Sequence, residues 1–141
     1  MGTLLSSSAA ARQAVEGAVS QVQACANLSS AVSQLQGVVN DRSSEYGQAS
    51  ALLTSALPDG AVVKSDLIAA LGYSLTADRA YLAWARQQLA VGCTSAAQSS
   101  AYAAAQSADQ QADAAKQAFA RVWNPVAAQY EVQPNNAAAS M

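Results

Sequence analysis

At 141 residues the chain has the length of one domain; 52% of it is hydrophobic but only 6% aromatic, so alanine carries much of the apolar share and closely packed helices with a thin core are expected. Seven basic residues against nine acidic ones give a net charge of −2, and the scatter of Arg12, Arg42, Lys64, Arg79, Arg86, Lys116 and Arg121 excludes the footprint of nucleic-acid binding and of a basic membrane-surface helix. No window of about eighteen consecutive apolar residues occurs, so membrane insertion by this chain is not expected.

The opening residues, Met1 to Arg12, lack the charged start and apolar core of a signal peptide. On this reading a signal or anchor is absent from the chain. A first helix is predicted from about Ser6 to Ala24, with Val15, Val19 and Val22 as its apolar stripe and Gln13, Glu16 and Gln23 on its polar face. Its first turns are rich in Ser and Ala, which bury little and favour fraying. The stripe then slips in phase at Cys25-Ala26-Asn27-Leu28-Ser29-Ser30. Asn and Ser favour caps and turns, so a break is predicted there with Ser29 or Ser30 as cap. An unbroken helix from Ser6 to Leu57 is the competing reading.

The second helix is predicted to run to Leu57 and to stop at Pro58-Asp59-Gly60, a strong turn signal. The third begins near Val63 to Ser65, with Ser65 as cap, and ends at Gly92. Its seam reads Ile68, Leu71, Leu75, Asp78, Leu82, Ala85 and Leu89, an alternation of three and four that fits one buried stripe interrupted by a single charge. Thr94 or Ser95 caps a fourth helix whose seam is Ala101, Ala105, Ala108, Ala112, Ala115, Phe119, Val122 and Val126. Trp123-Asn124-Pro125 is expected to kink or end it. Residues 1–134 form one helical domain on this reading, and 135–141 a disordered polar tail.

Heights in the bundle follow from the hairpins. If the second and third helices fold back about position 61, Cys93 comes level with about position 29, near Cys25, and both cysteines sit at helix junctions. A Cys25–Cys93 disulfide would close a loop of about 68 residues and contribute roughly 4 kcal/mol by chain entropy; it would also imply an oxidising compartment. Two buried free thiols are the alternative. The same construction brings Asp78 opposite Arg42, which predicts an ion pair across the hairpin with Tyr46 and Tyr81 nearby. Such a pair sets register more than it adds net stability. Trp123 comes level with the Pro58–Val63 turn, where it either caps the bundle against Val62 and Val63 or stands exposed with Asn124 and Pro125 as an anchor for a partner.

The run Leu57-Pro58-Asp59-Gly60, then Ser74, Ala77-Asp78, Tyr81, Trp84-Ala85 and Cys93, then Lys116-Gln117-Ala118-Phe119 and Trp123-Asn124-Pro125-Val126-Ala127, ending near Tyr130, resembles a helical domain of Streptomyces and related actinobacteria. The resemblance covers roughly Cys25 to Tyr130. It implies an extracytoplasmic domain at the cell envelope and carries over no catalytic or binding residue.

Chemistry is sparse. The chain has no histidine, the commonest general base and metal ligand; it has no Gly-x-Ser-x-Gly elbow and no glycine-rich phosphate loop. Asp109 and Asp113 share a helix face, a spacing that more often marks a solvated surface than a catalytic pair. No catalytic residue, metal or cofactor is therefore expected. The expected fold is an all-α, up-and-down four-helix bundle with one intrachain disulfide, the alternative being a three-helix bundle with a long projecting first helix. The expected function is a non-enzymatic protein-interaction or structural module outside the cytoplasm, with an unidentified protein partner and self-association through the first helix left open. A bundle binding a small apolar ligand near Tyr46, Tyr81 and Trp84 is the alternative.

Overall fold

The computed structural model describes residues 2–92 and 100–129. Among these residues the chain forms four helices and no strand: α1 (Gly2–Gln23), α2 (Leu28–Ser50), α3 (Gly60–Val91) and α4 (Ser100–Gln129). Successive helices run antiparallel: Ser8 of α1 meets Arg42 of α2, Gln36 of α2 meets Arg86 of α3, and Tyr81 of α3 meets Asp109 of α4. Helix α1 closes the bundle against α2 and approaches α4 mainly through side chains, in the pairs Arg12–Asp113 and Gln23–Tyr102. This excludes both a projecting first helix and an unbroken helix to Leu57. No described helix is long and apolar enough to cross a membrane.

The first break lies where the seam slips. The Ala26 N–H bonds the Gln21 carbonyl and the Cys25 N–H bonds that of Val22, so α1 ends in a Schellman motif. Its left-handed residue is Cys25, at φ 55°, rather than the usual glycine. Asn27, also left-handed, is the residue before α2, and its side chain makes no capping bond. The cap is therefore neither Ser29 nor Ser30; Asn tolerates this conformation better than most residues, and the chain reverses before either serine is reached. At its other end α1 starts at Gly2, four residues earlier than predicted, and does not bury little there: Leu4, Leu5 and Ser8 are all buried.

The second break is earlier than the sequence suggests. Helix α2 ends at Ser50 rather than Leu57, and Leu53, in phase with the seam, stands 95% exposed in the connection. Leu52 and Leu57 pack against the core instead. Thr54 organises the turn: its hydroxyl donates to the Gly60 carbonyl at 2.8 Å and its own carbonyl accepts from Leu57. Helix α3 consequently starts at Gly60, preceded by Asp59 in the left-handed region, and Ser65 lies one turn inside it, exposed. A Cβ on Gly60 would be driven into the Thr54 carbonyl. Gly60→Ala is expected to lower stability by about 1–3 kcal/mol, as overpacking does, in a urea unfolding titration.

Gly92, at φ 84°, ends α3 with its N–H on the Gln88 carbonyl, as expected. Pro125 lies inside α4, which continues to Gln129. A mid-helix proline frees the carbonyl four residues back, here that of the exposed Arg121. Cys93, the Thr94 or Ser95 cap, and the tail after Gln129 lie outside the described residues.

The apolar interior is in two parts. One core gathers Ala11, Val15, Val22, Leu35, Trp84 and Ala105 toward the α1–α2 turn. The other gathers Leu4, Leu5, Leu67, Leu71, Phe119 and Trp123 toward the α2–α3 turn. Between them lies a layer of buried polar and charged side chains, to which all four helices contribute: Ser8, Arg42, Glu45, Ser74, Asp78 and Lys116.

Candidate functional site

Arg42 is the hub of this layer. Its Nε donates to Asp78 Oδ2 at 2.9 Å, and its Nη1 donates to Ser8 Oγ at 2.5 Å and to Glu45 Oε1 at 3.4 Å. The hydroxyl of Ser7 completes the set by donating to Glu45 Oε2 at 2.9 Å. One guanidinium thus joins α1, α2 and α3, using the fixed fork that lets arginine hold several oxygens in a plane. Burial pushes the carboxyls of Asp78 and Glu45 above their ordinary range, with Arg42 opposing the shift in both. The Arg42–Asp78 contact lies at the height the hairpin construction indicates, but Tyr46 is not beside it.

A cavity of about 90 Å³ opens beside the hub, under the seam between α1 and α4. Its floor is Ser74, Asp78 and Tyr81 of α3; Arg42 enters from one side and Lys116 of α4 from another, with Arg12 of α1 at the rim. Ser74 is 2% exposed, and its hydroxyl has no hydrogen-bond partner among the described residues. Lys116 is 3% exposed, and burial, together with the neighbouring Arg42 and Arg12, lowers its pKa from 10.5 to about 8. The Tyr81 hydroxyl donates to Asp109 at 3.3 Å, and burial, followed by the charge of that carboxylate, pushes the phenol upward. Arg12 closes the rim by pairing with Glu16 at 3.2 Å and Asp113 at 3.7 Å. Asp109 and Asp113 are therefore held by Tyr81 and Arg12.

The proposed apolar pocket does not form. Tyr81 and Trp84 belong together, edge to face at 6.3 Å, with Tyr102 tilted over Trp84 at 4.6 Å. Tyr46 lies apart, 39% exposed on the outer groove of α2 and α3. Its ring sits over Gly72, where a Cβ would come within 3.3 Å of it. Tyr46 lies one residue past Glu45 in the buried stripe Arg42-Glu45-Ala49, and the bare Gly72 leaves room for its ring on the outer face.

The Trp123-Asn124-Pro125 anchor is likewise corrected. Trp123 is 5% exposed and stacks on Phe119, with ring centres 6.2 Å apart, in the same core as Val63. Continuous helix through Pro125 turns the indole inward; Asn124 is half-buried, Pro125 exposed, and Val62 stays outside the contact at the surface.

Glu45 and Ser8 were not singled out from the sequence, and Ser74 and Lys116 entered as part of the resemblance, with no role assigned. Each nevertheless lies in phase with its helix's buried stripe: Ala112-Lys116-Phe119-Trp123, Val38-Arg42-Glu45-Ala49, Leu4-Ser8-Ala11-Val15 and Leu71-Ser74-Asp78-Tyr81. A spacing of four and three that holds through a polar residue was the available signal. No family model matches this chain, and neither a curated protein nor a solved structure shows significant similarity to it.

Proposed function

We propose that the chain is a non-enzymatic binding module, a helical bundle that takes a small polar ligand into its central cavity and serves as the sensing or scaffolding part of an extracytoplasmic assembly. One observation carries this reading: a cavity, open on one side and bordered by all four helices, that is lined by the unpartnered Ser74 hydroxyl. Buried hydroxyls are ordinarily satisfied, and a ligand that accepts or donates there would satisfy this one. The absence of histidine from the sequence and the engagement of Asp78, Asp109 and Asp113 by Arg42, Tyr81 and Arg12 favour binding over catalysis.

An oxidising location and the Cys25–Cys93 bond belong to the same proposal. Cys25 is not a free thiol, and it occupies a left-handed position that costs a non-glycine residue about 1–2 kcal/mol. The resemblance to exported actinobacterial domains is consistent with that location. A second reading, a protein-interaction module, rests on Leu53, which projects from the α2–α3 connection with nearly all of its surface in water.

Amide NMR spectra recorded during titration with a panel of small polar metabolites separate these readings. Shifts gathered at Ser74, Tyr81, Asp109 and Lys116 are the expected result. A spectrum unmoved by the panel, or shifts confined to the Leu53 connection upon addition of a protein partner, would count against the cavity. Thiol titration of denatured, unreduced protein followed by peptide mapping tests the bond between Cys25 and Cys93.

A further inference from the structure

The cations of this chain are not spread evenly over the bundle. Arg12 and Arg42 pair with carboxylates, and buried Lys116 has Asp109 and Asp113 as counter-charges. Lys64, Arg79 and Arg86 all belong to α3 and have no ion pair among the described residues. They look scattered in sequence, but separations of 15 and 7 residues are close to whole helical turns, which sets all three on one face. That face looks toward α2. Arg86 donates to Gln36 Oε1 at 2.6 Å, and Gly72, lower on the same stripe, lies under the Tyr46 ring. The acidic residues of these two helices point elsewhere. Asp78 and Glu45 are buried on Arg42; Asp41 shares the Glu45 side of α2, which is turned to α1; Asp66, two residues from Lys64, lies off its face.

Along the cations runs a groove on the outer surface of α2 and α3, away from the α1–α4 seam. Its upper part, about 300 Å³, is lined by Ile68 and Gly72 and flanked by the exposed rings of Tyr46 and Tyr73. Its lower part, about 320 Å³, lies between the α2–α3 connection and the first turns of α3, with Leu53, Ala61 and Lys64 in its wall. Ile68 stands one turn above Lys64, so the two parts are continuous. No carboxylate lines either part, and Lys64 is the one charged residue of the lining. We infer that this groove docks an acidic amphipathic helix of a partner protein. The partner's apolar side chains lie between Tyr46, Tyr73 and Leu53, and its carboxylates face Lys64, Arg79 and Arg86. The inference rests on the protein-interaction reading above and is independent of the central cavity.

Shape and charge narrow the partner. Lys64 to Arg86 spans about 33 Å of helix, so a helical occupant engaging all three cations is about 22 residues long. A cleft between two helices takes a third along its length, whereas a flat bilayer would touch only the rims. A second copy meeting this face would set the same cations against one another, and like charges oppose association. Exposed charges set encounter rate and partner choice more than affinity. The tyrosine rings supply the anchor, as aromatic side chains commonly do at interfaces.

The test is fluorescence anisotropy of a labelled amphipathic peptide of about 22 residues, with leucines on one face and glutamates beside them, titrated with the full chain. The same peptide with lysines in place of the glutamates is the counterpart, and amide NMR locates each contact. The acidic peptide is expected to bind at least about tenfold more tightly than the basic one, to shift residues around Tyr46, Gly72 and Tyr73, and to weaken several-fold between about 50 and 500 mM salt. Replacing Lys64, Arg79 and Arg86 together by Gln should remove the preference for the acidic peptide. Tyr73→Ala should weaken its binding several-fold while leaving the salt dependence in place, and circular dichroism of both variants checks that the bundle is intact. Equal affinities for the two peptides at the groove would overturn the acidic partner but leave the interaction module standing. Tighter binding to phosphatidylglycerol vesicles than to either peptide would make this a membrane face. A dimer in light scattering whose interface covers Tyr46 and Tyr73 would make the occupant a second copy, and either result overturns the inference. No binding of either peptide, with no shift at the groove or at Leu53, would sink the acidic helix and the interaction reading together.

Discussion

Arg42→Ala is expected to cost about 3–5 kcal/mol of folding stability, the range for removing one partner of a buried ion pair. The guanidinium satisfies Asp78 and Glu45 and also holds Ser8. Its loss leaves two carboxylates buried without their principal cation, and burial already pushes both toward the protonated form. For a domain whose total stability is about 5–15 kcal/mol, that change brings the bundle near its unfolding threshold. The informative control is Arg42→Met combined with Asp78→Leu, which replaces the charges with apolar volume. The double variant should be much less destabilised than Arg42→Ala, because desolvation cost leaves together with attraction. Urea midpoints of the wild type, single and double variants decide the point. A loss below about 1 kcal/mol for Arg42→Ala, typical of exposed pairs, would mean that the layer is wet.

The second large effect concerns Lys116 and has the opposite sign. Folding lowers its pKa from 10.5 to about 8, so below pH 8 the folded state carries an ammonium it disfavours. Between pH 8 and 10.5 the unfolded chain binds the proton and the folded chain does not. Stability therefore rises with pH across that window, by about 3 kcal/mol in all. Tyr81 sets the upper limit, since its phenol is pushed upward on folding and ionisation of the unfolded chain works against the native state above about pH 10. Urea midpoints should thus rise from pH 7.5 to 9.5 in the wild type. Lys116→Met should be more stable at pH 7.5, by about 1–4 kcal/mol, and nearly level across the same interval. A wild-type midpoint that is level or falling would show that Lys116 is hydrated in the folded state.

The two effects bear on how much was legible beforehand. Helix number and order could be read from the four-three alternation, and the break at Cys25–Asn27 from its one slip in phase. The level of Arg42 and Asp78 followed from counting outward from the α2–α3 turn. Ends were less legible. Leu53 and Ala56 continue the α2 seam, yet the side-chain bond from Thr54 to Gly60, visible only in three dimensions, stops the helix at Ser50. The site was half legible. Asp78 stands out because it is a charge within a run of leucines, whereas Lys116 sits among alanines and glutamines that disguise which face is buried. Tyr46 was misplaced because the buried stripe of α2 runs through Glu45 rather than its neighbour, which leaves the ring on the outer face over Gly72. Trp123 was legible in height but not in facing, since a proline two residues later suggested an end that the helix does not have.

The polar layer between the two apolar cores also has a kinetic side. Neighbouring helices in this chain are neighbours in space, an arrangement that favours rapid folding. Each apolar core can begin to close with whichever helices have already met. The layer cannot, because its members come from every helix: Ser8, Arg42, Asp78 and Lys116. An assembly short of one helix leaves one side of the layer open to water, so the full dehydration of these groups falls at the final docking step. Partial bundles are thereby denied stability of their own, and an alanine-rich chain with little bulk to enforce one packing acquires an all-or-none transition.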